Sequence, residues 1–151
     1  MLIRRITLAL GFASLVGVVS LAAAQGNPGG GWGPGSPYGR MYDPKTVETV
    51  AGEITKIDKL VPMRGMHKGV HLLLKTNAPE PLVVHLGPDW YVERQEITLK
   101  PGDKIQVRGS RITFDGKPAV IAAEVTKDGK TLQLRDANGV PVWAGWRGRG
   151  R

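Results

Sequence analysis

The chain of 151 residues contains no cysteine. That excludes disulfides, thiolate catalysis and a lipid-attachment cysteine, so any folded domain here must be held by its core alone. Catalytic constellations are also missing. There is no G-x-S-x-G, no phosphate-binding P-loop and no G-x-G-x-x-G opening a helix after a strand. Ser110 lies in a bent strand with no recognisable base. The sequence therefore reads as a non-enzyme. Histidine is scarce, with three in the chain, and aromatic residues make up 6%.

A long apolar run is present at the start. Arg4 and Arg5 precede an apolar stretch from Ile6 to Leu21, and Ala22-Ala23-Ala24 follows with the small residues an exporting peptidase reads. Residues 1–24 are thus expected to be a signal peptide cut after Ala24, and the protein periplasmic or secreted. The glycines and serines at 11, 14, 17 and 20 make a poor membrane span. The formal charge of +8 is unevenly placed. Two arginines sit in the leader and three, Arg147, Arg149 and Arg151, in the last five residues, leaving +3 for the body. A high isoelectric point suggests nucleic acid, but here the excess is mostly terminal. An envelope protein, a polysaccharide or an anionic surface is the expected partner instead.

Residues 25–44 begin QGNPGGGWGPGSPYGRM, with seven Gly and three Pro in that run. Such a composition reads as a disordered linker, with Trp32 and Tyr38 as isolated aromatics. Residues 45–143 read as one domain. Val47, Val50, Ile54 and Ile57 mark a half-buried strand bent at Gly52. GVHLLLKT at 69–76 and LVVHL at 82–86 are strands, with Pro79 and Pro81 in the turn between them. DWYVERQ after Pro88 is the one helical piece, placed between 87 and 96. Strands follow at 104–114, bent at Gly109, and at 118–127, joined by Asp115-Gly116. TLQLRD at 131–136 and VPVW at 140–143 suggest a C-terminal hairpin extension. Residues 144–151 form a basic Gly/Arg tail. Three strands, a short helix and two strands predict an all-β, five-stranded OB-fold-like barrel.

The segments YDPKTVETVAGEI, GVHLLLKT, VHLGPDWYVERQ, LKPGD, VRGSRITFDGKPAVIAAEV and LRDANGVPVW together resemble small exported bacterial OB-fold proteins. Domains found in magnetosome-associated proteins are of this kind. The likeness covers roughly 42–143 and implies the fold and the compartment, without implying an activity. A looser likeness, by fold and compartment, is to periplasmic OB-fold stress proteins and to the small copper-carrying OB-fold protein of the periplasm.

Two binding surfaces are expected. The first is a metal site. His67, His71 and His85 lie close together in sequence with Met63 and Met66, and imidazole plus thioether suits a copper ion. Pairing Thr76 with Leu82 would put Leu73 opposite His85 and His71 diagonal to it, at roughly 7 Å. No cofactor is otherwise required. The second is the barrel face that OB-folds use for ligands, on which Lys75, Arg108, Arg111 and Trp90 are candidates beside the strand histidines. Nucleic acid fits poorly, because the strands carry few stacking aromatics. The resulting reading is an exported, non-catalytic binding module, a monomer or weak oligomer. The alternatives are a periplasmic copper or transition-metal binder, and a scaffold subunit docking through 131–143.

Overall fold

The computed structural model describes residues 30–145. The expected signal peptide and the last residues of the basic tail lie outside the described residues. Six strands and one short helix follow in order: β1 (Val47–Leu60), β2 (Gly69–Lys75), β3 (Leu82–Pro88), α1 (Asp89–Val92), β4 (Lys104–Phe114), β5 (Lys117–Lys127) and β6 (Lys130–Gln133). The strands run side by side as β3-β2-β1-β4-β5-β6, and a parallel pairing of β3 with β5 closes the first five into a barrel. β6 bonds to β5 outside the ring. This is the expected OB-fold-like barrel, with its helix between the third and fourth strands.

Closure depends on one long strand serving two neighbours. β1 pairs with β4 over Val47–Glu53 and with β2 over Glu53–Leu60. Gly52 stands at the changeover, where a Cβ would lie 2.5 Å from the Lys75 carbonyl oxygen. A bulge follows at Thr55 in β1, between Ile54 and Lys56, and a second lies in β5 at Ala123, opposite Arg108 and Gly109 of β4. Such bulges add twist and let a sheet curl on itself. The turns Asp115-Gly116 and Asp128-Gly129 place both central residues at positive φ, as tight hairpins require.

Alternate residues fill the barrel: Leu72 and Leu74 from β2, Val84 and Leu86 from β3, Ile105 and Val107 from β4. β5 differs, because Ala119 through Ala123 are all buried. A strand covered on both faces reads as an unbroken apolar run, and something must cover its outer side.

The cover comes from two segments. The linker expectation for 25–44 is corrected over its described part. Residues 30–44 form a strap packed on the barrel, with 3₁₀ turns at Gly39–Met41 and Pro44–Thr46. Trp32 and Tyr38 are 1% and 2% exposed. Two indole and phenol rings bury enough surface to order a glycine-rich segment that composition alone reads as loose. The expected C-terminal hairpin is reduced as well. Its second arm contributes one bridge, Arg135 with Pro141, and the chain then turns through a 3₁₀ helix at Val142–Gly145. That turn drives Trp143 into the core, 2% exposed. The helix is shorter than its expected span, and Pro88 caps it rather than opening it.

Candidate functional site

The strand alternation that sends Leu72 and Val84 inward sends His71 and His85 outward, onto the β2–β3 face. The register differs from the expected one by two residues. Leu74 pairs with Leu82, so His71 lies directly opposite His85. A shift of two keeps both residues on the same face. The imidazoles stack with centroids 4.1 Å apart and planes 4° from parallel. Neither is solvated: His71 is 6% and His85 0% exposed.

The strap is what covers them. The Tyr38 hydroxyl shares a 2.9 Å hydrogen bond with His85 Nδ1, and the Phe114 ring meets His85 edge-on at 4.8 Å. Trp32 lies across the start of β2, where any Cβ on Gly69 would strike its ring. Trp143 occupies the matching hole at Gly87, where a Cβ would come within 2.6 Å. Both indoles lock the strap: Trp32 Nε1 donates to the His67 carbonyl and Trp143 Nε1 donates to the Trp32 carbonyl, each at 3.0 Å. At the far end, Ser110 Oγ accepts from the Asp43 amide at 2.9 Å. The serine that lacked a catalytic partner in the sequence is a strap anchor.

Electrostatics set this layer apart. Arg135 is 3% exposed, donates from Nη1 to the Leu86 carbonyl at 3.0 Å and also to the Ala122 carbonyl, and lies 5.1 Å over Trp143. Burial lowers its pKa from the ordinary arginine value and raises that of Tyr38. Burial pushes His71 down to about 4, against the opposing pull of Asp58. It pushes His85 down to about 3, helped by His71 and Arg135. The pair is neutral at ordinary pH, and Nε2 of each ring has no hydrogen-bond partner.

These residues do not fit a copper ion. Rings stacked in parallel aim their nitrogen lone pairs side by side rather than at a common point. Met63 and Met66 pack against the hydrophobic core, Met66 beside Gly31, while the His67 ring lies against Gly30 and is exposed. Among the described residues, no three of His, Cys, Asp and Glu gather in one place.

The other expected ligand residues are scattered. Arg108 makes a two-pronged pair with Glu124, at 3.1 and 3.0 Å, and Arg111 pairs with Glu48. Trp90 is half-buried on α1, while its neighbour Tyr91 is buried and donates to the Gln133 carbonyl. Lys75 lies elsewhere, in an open groove of about 590 Å³ at the β1 bend, with Lys104, Asn77, Gln106, Thr126 and Glu53. Neither Lys75 nor Lys104 takes part in an ion pair among the described residues. Sequence reasoning missed Trp32, Tyr38, Trp143 and Arg135. The available signal was the pair of bare glycines, Gly69 and Gly87, on two strands facing a glycine-rich segment that holds aromatics.

Residues 46–132 match the model of the MamS/MamX magnetosome protein family. The chain belongs to that family. The matched span runs through the barrel strands of this MamS/MamX member and into β6; the strap and Trp143 lie outside it. No curated protein matches the chain.

Proposed function

We propose that this MamS/MamX-family chain is an exported, non-catalytic binding module of the cell envelope, cut after Ala24, that takes an acidic partner in the groove at the β1 bend. The observation that carries the reading is the contrast among its cations. Arg108 and Arg111 are committed to Glu124 and Glu48. Lys75 and Lys104 share one groove with amide and hydroxyl side chains and a single carboxylate, Glu53. The face on which OB-folds usually take ligands is meanwhile filled by the strap. The arginines at 147, 149 and 151 would add to the attraction for an acidic partner.

The test is titration of the protein with a soluble uronate polysaccharide and, separately, with anionic vesicles. Binding by the groove predicts that Lys75→Glu with Lys104→Glu weakens affinity at least tenfold and that added salt weakens the native protein's binding. Arg111→Gln should leave it unchanged. Deleting 147–151 separates the tail's share from the groove's. Equal affinity in the native and double-lysine proteins would remove the groove from the account.

A scaffold role has one observation in its favour. β6 pairs with β5 on one side and with no other strand among the described residues, and an open edge can accept a further strand.

A further inference from the structure

Two neutral imidazoles in face-to-face contact beneath a short segment form an unusual arrangement, because adding a proton to either ring puts a charge where there is little to receive it. The groups facing the pair can be named from each element packed on it. From β1, Asp58 stands opposite His71 in the strand register. From the segment after β6, the buried Arg135 cation bears on His85. From the strap comes the Tyr38 hydroxyl, from β4 the Phe114 ring, and from β5 Ile121, the register partner of His85. The one carboxylate therefore lies on the His71 side and is itself paired with Lys56 at 3.0 Å. Both Nε2 atoms lack partners, and a protonated ring carries a hydrogen on each nitrogen, so the Nε2–H of a charged His71 or His85 would have no acceptor while the strap is closed. The strap that seals the pair is held by a few contacts: Trp32 and Trp143 over bare glycines, the Tyr38–His85 hydrogen bond, and the Asp43–Ser110 bond.

We propose that the stacked His71–His85 pair is an acid-sensitive latch: with both rings neutral it holds the 30–44 strap closed, and protonation of the pair releases the strap and uncovers the β2–β3 face. The sign follows from the direction of the shifts. Closed-state values of about 4 and 3 lie below the ordinary histidine value, near 6.5, that solvated rings regain when the strap lifts. Closing therefore requires loss of protons. It is fully favoured above pH 6.5 and weakens as pH falls toward the closed-state values. At pH 5 the closing constant falls about 30-fold for one ring and up to about a thousandfold for two. The uncovered face would present two imidazolium groups beside Phe114 and Trp143, a surface suited to anionic or ring-bearing ligands. This latch is independent of the Lys75–Lys104 groove.

Amide hydrogen exchange of the full chain tests it, read separately for 32–42 and for the barrel amides of β4 and β5 at pH 7.5, 6.5, 5.5 and 4.5, corrected for intrinsic rates. The latch predicts that strap protection falls by at least tenfold between pH 6.5 and 4.5 while barrel protection holds. His71→Phe, which keeps a flat ring but cannot titrate, should remove at least half of that slope on a logarithmic scale. Should His71→Phe fail to fold, the native protein's imidazole NMR titration serves: the rings should titrate together with strap opening, well above pH 4. Strap protection flat over the range, strap and barrel lost together, or a His71→Phe protein with the native slope would each overturn the latch.

Discussion

The inside and the outside of the barrel wall are built from different materials. Inside, Leu72, Leu74, Val84, Leu86, Ile105 and Val107 interdigitate as aliphatic side chains on alternating strand positions. Outside, across β2, β3 and β5, the covering layer is aromatic and polar: Trp32, Tyr38, Phe114, Trp143, two histidines and Arg135. The inner layer is closed by strand pairing, so each side chain is fixed by a regular ladder. The outer layer is closed by a segment without a ladder, held by rings seated on bare glycines and by single hydrogen bonds. An aliphatic core is indifferent to pH. A layer with buried, titratable rings and an uncompensated cation is not, and its weakest boundary is the strap.

The comparison breaks first at Trp32. Trp32→Ala should lower unfolding stability by about 3–5 kcal/mol in denaturant titration, the usual cost of truncating a buried indole. An unchanged midpoint would mean that the strap contributes nothing to the fold. Leu74→Ala, on the inner wall, should cost about 2–5 kcal/mol and destabilise strap and barrel together. Tyr38→Phe is subtler: it keeps the ring and deletes the partner of His85 Nδ1. A loss of about 1–3 kcal/mol is expected, the cost of an orphaned buried polar atom, with the change concentrated in strap protection. Smallest is Arg111→Gln. Its pair with Glu48 is about 40% exposed on both sides, so screening limits the loss to about 0.2–1 kcal/mol. A larger loss there would show that the outer wall depends on charge pairs as well as rings.

The barrel was legible because its signals are local. Period-two alternation marked the strands, and Asp115-Gly116 and Asp128-Gly129 marked two of the turns. Gly52 and Gly109 showed where the wall bends. The strap was not legible, because glycine and proline lower the expectation of order whether or not a few aromatics find a surface. Trp32 meets Gly69 across 36 intervening positions, and neither sequence neighbourhood mentions the other. The histidine pairing was half legible. The face was right, but the loop between β2 and β3 takes more of the chain than the turn signal implied, which moved the register by two and turned a diagonal pair into a stack. That displacement also removed the geometric basis of a copper site. Arg108 and Arg111 look like free ligand groups in the sequence, since their partners Glu124 and Glu48 are distant in sequence and adjacent only through pairing of β4 with β5 and β1.

The most direct measurement of the strap as part of the fold is the pair of α-proton NMR signals of Gly69 and Gly87 in the full chain at pH 7.5. Each glycine lies under an indole ring, Trp32 and Trp143 respectively. The account predicts ring-current shifts well away from random-coil positions, with cross-relaxation from Gly69 to the Trp32 ring and from Gly87 to the Trp143 ring. Random-coil shifts at Gly69, together with narrow, unshifted resonances for residues 30–44, would contradict it.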